Sequence, residues 1–129
     1  MIKEEEIILR FTLDPKSGVP FYKQIILQIE MAISDGRLAS GAQLPTVRSL
    51  AVELQVNPNT VARAYSELEI RQILTTQQGT GTFIGNRKVE ISEVERERVL
   101  AELVREFISK ASSYGFSLRD VAQYLKEIE

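Results

Sequence analysis

The sequence contains no cysteine and no histidine. That removes disulfides, thiolate nucleophiles, imidazole bases and the nitrogen and sulfur ligands that zinc sites use. A carboxylate-only enzyme survives this exclusion, but the glutamates fall mostly on helical faces of the kind that charge runs solvate. No catalytic residue, metal site or cofactor is therefore assigned. Long hydrophobic runs are also missing: no apolar stretch approaches the roughly 20 residues that cross a bilayer. The start, Met1 to Glu6, is acidic and lacks the basic region and apolar core of a signal peptide. These absences lead us to expect a cytoplasmic protein with no membrane partner. An overall positive charge is absent too, because 16 Lys and Arg face 18 Asp and Glu for a net charge of −2. The chain is not a uniformly basic nucleic-acid binder.

What is present is an ordinary globular composition, 43% hydrophobic and 26% charged. A chain of 129 residues is long enough to bury a core, as one domain or one domain with an appendage. The charge is unevenly spread. Residues 37–88 carry six cations (Arg37, Arg48, Arg63, Arg71, Arg87, Lys88) against three glutamates, a local +3, while 1–36 carry −2 and 89–129 carry −3. The positive excess is small, yet it coincides with the stretch that has the most structured pattern.

Residues 7–13 are β-rich and partly alternating, which predicts a short strand, ended by the turn cluster Asp14-Pro15-Lys16-Ser17-Gly18. Pro20 suits a first helical turn, and Tyr22, Ile25, Ile26, Ile29 and Ile33 form one apolar stripe up to the stop at Gly36. Residues 40–45 read as a loop. Thr46 is an N-cap for a helix from Val47 to about Leu54 that buries Leu50, Ala51 and Leu54 and projects Arg48. Gln55-Val56 makes the turn, and Asn57-Pro58 opens the next helix, with Val61, Ala64, Tyr65 and Leu68 inward. Asn59, Thr60 and Arg63 fall on its outward face. After Gln72, Leu74–Gln77 and Thr82–Ile84 flank Gln78-Gly79-Thr80-Gly81, a β-hairpin with a glycine-rich tip. A nucleotide-binding loop would need a helix after the glycines, and a strand follows instead.

Helix, tight turn, helix and hairpin in this order outline a winged helix-turn-helix, a shape that seats one helix in the DNA major groove. The fold class is thus α+β, mostly helical. Helix starts are electropositive and have free N–H groups, so Arg48 and the amides near Thr46 would anchor phosphates. Asn57, Asn59, Thr60 and Arg63 would read or position the groove, since Asn pairs with adenine, Arg with guanine, and Thr touches a thymine methyl. The tip Gln78, Gly79, Thr80 and Gly81 allows close backbone approach to a groove or phosphate.

The sequence resembles the GntR family of transcription regulators. The likeness lies in Gly41-x-x-Leu44-Pro45-Thr46-x-Arg48-x-Leu50-Ala51, then Asn59-Thr60-Val61-x-Arg63-Ala64-Tyr65-x-x-Leu68-Glu69, then Gly79-Thr80-Gly81-Thr82-Phe83. The string from Asn57 to Tyr65 and the short tail are similar to the YtrA branch. The resemblance implies a dimeric, operator-binding repressor without a large effector domain, with Arg48 and the start of the third helix on DNA and the hairpin tip reaching the minor groove. The family usually has Gly where Gln72 stands, and a left-handed Gln would cost on the order of 1 kcal/mol unless this helix ends differently. The family's wing often carries a basic residue, whereas Thr76-Gln77-Gln78 is uncharged.

We expect a winged domain over residues 1–85, with 86–129 a linker (Asn86-Arg87-Lys88) and a helical dimerisation segment. Ser92 and Glu95 have capping-box spacing. The following helix presents Leu100, Leu103, Val104, Phe107, Ile108 and Ala111, then Ser113-Tyr114-Gly115 breaks it. Ser117 caps a second helix, on which Leu118, Val121, Ala122, Leu125 and Ile128 form a second stripe. Two such helices cannot close a core alone, and a homodimer buries both stripes while spacing two recognition helices on DNA. Packing within one chain is the alternative. The functional expectation is a sequence-specific regulator that binds an inverted-repeat duplex as a homodimer. The alternative is a winged helix that binds protein and no DNA, which the neutral wing and the negative net charge favour slightly. No effector is specified; a small molecule between subunits stays open.

Overall fold

The computed structural model describes residues 10–129, which form two compact units, the first ending at Glu90 and the second Ile91–Glu129. In the first unit α1 (Phe21–Ser34), α2 (Val47–Leu54) and α3 (Pro58–Ile70) pack around one core. A three-stranded antiparallel sheet of β1 (Gln43–Leu44), β2 (Leu74–Gln77) and β3 (Gly81–Ile84) completes it, in the order β1-β3-β2. The second unit is a pair of helices, α4 (Glu93–Ser113) and α5 (Leu118–Ile128).

The apolar periodicities fold as their spacing predicts. Ile25, Ile26 and Ile29 of α1, Leu50 and Ala51 of α2, and Val61, Ala64, Tyr65 and Leu68 of α3 are buried together, with Tyr22, Ile33, Leu54 and Val56 partly buried against them. Caps set the ends. Thr46 Oγ1 accepts the Ser49 N–H at 3.0 Å, and Asn57 Oδ1 accepts the Asn59 N–H at 2.8 Å, with Pro58 in the first turn of α3. The turn between α2 and α3 places Gln55 in the left-handed region at φ 57°. Its N–H returns to the Val52 carbonyl while that of Val56 reaches Ala51, satisfying the end of α2.

Three expectations need correction. The N-terminal strand falls partly outside the described residues, and 10–13 form no ladder. Two glutamine side chains on successive turns of α1 act in place of a strand. Gln28 accepts the Thr12 N–H at 3.1 Å and donates to the Thr12 carbonyl at 2.7 Å. Gln24 does the same for Asp14, at 2.8 and 2.9 Å. A primary amide carries a donor and an acceptor side by side, so it satisfies both backbone groups of a residue. Phe11 and Leu13 meanwhile pack on the core.

Residues 40–45 are not all loop. Gln43 pairs with Phe83 and Leu44 with Thr82, flanked by the Gly41 N–H to the Ile84 carbonyl and the Ile84 N–H to the Ala42 carbonyl, both 2.8 Å. Leu44 is 2% exposed, so burying it holds this short strand against β3. Two residues are too few to show a period. The capping box expected at Ser92 is half formed: Ser92 Oγ accepts the Glu95 N–H, but Arg98 takes both Glu95 oxygens, at 2.6 and 3.0 Å. The stronger guanidinium partner holds the Glu95 carboxyl below its usual pKa. The reciprocal box occurs at Ser117 and Asp120 instead. In the first unit Val89 also packs on the core, and Ser40 Oγ donates to Asn86 Oδ1 at 2.6 Å.

Gln72 does adopt the left-handed conformation, φ 63°, and its N–H bonds the Glu69 carbonyl while that of Ile73 bonds Leu68. The helix therefore ends as a glycine would end it, with the steric cost retained. Arg87 Nη1 donates to the exposed Gln72 Oε1 at 3.2 Å, a weak compensation. Gln72→Gly should stabilise the protein by about 0.5–1 kcal/mol, net of the added freedom of glycine in the unfolded chain. Thermal melts at fixed concentration should show a rise of roughly 2–5 °C. A lower midpoint would mean that the Arg87 contact outweighs the strain.

Candidate nucleic-acid interface

The polar residues on and beside the starts of α2 and α3 come from two capped turns, and the core sets how these turns stand to each other. Tyr65, 2% exposed on the inner face of α3, donates its hydroxyl to the Pro45 carbonyl at 2.8 Å. This bond ties α3 to the residue just before the Thr46 cap. Burial drives the phenol's pKa well above its ordinary value, so it remains a donor. Sequence spacing marks Tyr65 as core; only the packing of α2 on α3 reveals where its hydroxyl goes.

Arg48 lies in the first turn of α2, exposed and with no hydrogen-bond or ion-pair partner among the described residues. Asn59 and Arg63 sit one turn apart on the outer face of α3, with Thr60, partly buried, beside them. Asn57 is restricted by its cap. Its amide oxygen accepts the Asn59 N–H, which fixes the side chain's orientation and leaves one lone pair and the amide nitrogen for other partners. Arg63 is placed by a contact the sequence does not show: its guanidinium carbon lies 3.9 Å from the centroid of the Tyr22 ring on α1. Spacing assigns Tyr22 to the core stripe, and nothing local signals that it meets Arg63.

The other four cations of residues 37–88 are occupied. Arg37 pairs with Asp35, Arg71 with Glu30 and Lys88 with Glu90, while Arg87 bonds Gln72. Arg48 and Arg63 thus stand apart as cations without a carboxylate or amide partner among the described residues.

At the wing, Gln77 faces Gly81, so Gln78, Gly79 and Thr80 form the tip. Gly79 has φ 79° and the Thr80 N–H closes the turn onto the Gln77 carbonyl at 2.9 Å, a conformation that favours glycine. Gln43 Nε2 donates to the Thr80 carbonyl at 3.2 Å, tying the tip to β1. The tip exposes amides and hydroxyls and carries no charge.

In the second unit no side chain is buried. Leu100, Leu103, Val104 and Phe107 of α4 are 61, 57, 50 and 58% exposed, and Leu118 and Leu125 of α5 are 68 and 52% exposed; Ile108 and Val121 are partly covered. Phe107, Ala111, Phe116, Val121, Tyr124 and Leu125 line an open groove of about 620 Å³ between the two helices. Phe116 and Tyr124 lie off the stripe as spacing draws it, and only the crossing of the two helices brings them to the groove.

Three packed helices, the second and third joined by a tight turn and followed by a sheet-anchored hairpin, make a winged helix-turn-helix DNA-binding regulator. The model for bacterial regulatory proteins of the gntR family matches residues 21–84, from the start of α1 to the end of β3. The transcriptional repressor YtrA of Bacillus subtilis is 38% identical over 117 residues, covering 90% of this chain and 89% of that protein. Among solved structures, YtrA from Sulfolobus acidocaldarius, a GntR-family transcription factor, superposes with a TM-score of 0.55 at 33% identity, covering 75% of this chain and 96% of that one. The DNA-binding domain of AraR in complex with operator ORX1 superposes with a TM-score of 0.51 at 27% identity, over 58% of this chain and 93% of that domain. The chain belongs to the GntR family and is a DNA-binding transcription regulator. Among the described residues no helix is long and apolar enough to cross a membrane.

Proposed function

We propose that this protein is a cytoplasmic, homodimeric transcriptional repressor without enzymatic activity, which recognises an inverted-repeat operator. The observation that carries this reading is the pair of cations without a carboxylate or amide partner among the described residues, Arg48 and Arg63, beside two helix starts in a segment whose other cations are all engaged. Unpaired guanidinium groups next to free first-turn amides suit phosphate and guanine edges. Arg48 and the amides after Thr46 would hold phosphates. Asn59, Thr60 and Arg63 would face the major groove, Asn57 would donate to phosphate or base, and Gln78 to Gly81 would meet the adjoining minor groove. Residues 1–85 would serve as the DNA-binding domain and 86–129 as linker and dimerisation segment. A second copy would cover the stripe of Leu100, Leu103, Val104, Phe107 and Ile108, together with Leu118, Val121 and Leu125 on α5. Apolar faces this continuous mark contact sites, and a two-fold dimer buries the same face twice. The names of the relatives support repression.

Selection of bound duplexes from a random pool tests the reading. The expected winner is an inverted repeat bound at least about a thousandfold more tightly than scrambled DNA at near-physiological salt, with affinity falling steeply as salt rises. A pool without a winner, or binding indifferent to salt, would overturn it in favour of a winged helix that binds protein.

A further inference from the structure

The guanidinium of Arg63 rests on the face of Tyr22, 3.9 Å from the ring centroid. The two residues belong to different helices: Arg63 to α3, and Tyr22 to the first turn of α1, where its ring is partly buried against the core. The ring is therefore fixed by the fold, and the arginine is the mobile partner. Arg63 makes no hydrogen bond or ion pair among the described residues, so the ring contact is what holds it.

Such a contact has a particular consequence for recognition. A ring attracts the flat face of a guanidinium, whereas its N–H donors point outward in its own plane. Stacking thus orders the cation while leaving its donors unused. A carboxylate partner would order it too, but would occupy the fork. Arg98 illustrates that case, with one edge on Glu95 and Nη1 on Glu102. Phosphate or a guanine edge can bind a stacked arginine without first displacing anything, and fewer rotamers are lost on binding.

We propose that Tyr22 is a positioning residue for DNA recognition, its ring holding the Arg63 guanidinium ready with all its hydrogen-bond donors free. This rests on the reading of Arg63 as a DNA contact. It places a determinant of affinity on α1, outside the two helices of the helix-turn-helix.

A double-mutant cycle on the full chain tests it, using the duplex selected from the random pool and fixed salt. Thermal melts would check that each variant is folded. Tyr22→Leu keeps apolar bulk on the core and removes the ring. It should weaken binding by about threefold to tenfold per subunit, hence about tenfold to a hundredfold for a dimer. Tyr22→Phe keeps the ring and should bind like the wild type. Added to Arg63→Ala, Tyr22→Leu should cause no further loss. Should Leu destabilise the fold, Tyr22→Met makes the same comparison with a more adaptable side chain.

Wild-type affinity in Tyr22→Leu, with Arg63→Ala weakened, would overturn the positioning role and leave Arg63 as a DNA contact. An equal loss from Tyr22→Leu with and without Arg63 would overturn it as well, pointing to an independent contact. A loss in Tyr22→Phe as large as in Tyr22→Leu would overturn it by assigning the effect to the hydroxyl. Wild-type affinity in Arg63→Ala would instead remove Arg63 from the interface, and the inference with it.

Discussion

Phe107→Asp is expected to turn the dimer into monomers at micromolar concentration while leaving the winged unit folded. Phe107 is 58% exposed in the single chain and lies on the stripe formed by Leu100, Leu103 and Val104, each at least half exposed. An aspartate there is solvated in the monomer and costs that state little. In the dimer it must be stripped of water against an apolar stripe, a cost of about 3–5 kcal/mol for a buried unpaired charge. Two-fold symmetry applies the cost twice, so the dissociation constant should rise by roughly four orders of magnitude or more. Sedimentation should show one species of half the mass, with an unchanged melt for the first unit. Operator affinity should fall with it, since two half-sites bound by linked units gain from effective concentration and separate units do not. A variant that still sediments as a dimer would move the interface away from this stripe.

Arg63→Ala should weaken operator binding by at least about thirtyfold without affecting the dimer. A well-aligned arginine on a guanine edge contributes roughly 1–3 kcal/mol per half-site, and the dimer has two. The fold should tolerate the change, because the exposed Arg63 contributes only its stack on Tyr22, about 0.5–1 kcal/mol. Salt dependence adds a diagnosis. A phosphate contact removed from each subunit should lower the salt slope by about one per subunit, whereas a lost base contact should leave the slope and relax specificity at one position per half-site. Unchanged affinity for the selected duplex would contradict the role assigned to Arg63.

The helical elements and their buried faces were legible because their signals are local. Thr46, Asn57 and Ser117 cap helices where a short polar side chain precedes an apolar stripe, and Val61, Ala64, Tyr65 and Leu68 are buried as three- and four-residue spacing requires. The left-handed Gln72 was legible in the same way, as a departure from a family pattern at a helix end. The Gly79 turn followed from composition, since a left-handed tip favours glycine.

Burial is a property of one residue and its own helix, so periodicity reports it. Which partner a side chain meets depends on how two elements cross and in what register, and no single stretch contains that information. The sequence by itself therefore determined the order of elements, their inward faces, the polar helix starts and an apolar tail that needs covering. Only the tertiary structure decided that Gln43 and Leu44 join the wing, that Gln24 and Gln28 hold the incoming chain, and that the Tyr65 hydroxyl reaches Pro45. It likewise decided that Arg63 lies on Tyr22, because only the packing of α1 on α3 brings the ring beneath the guanidinium.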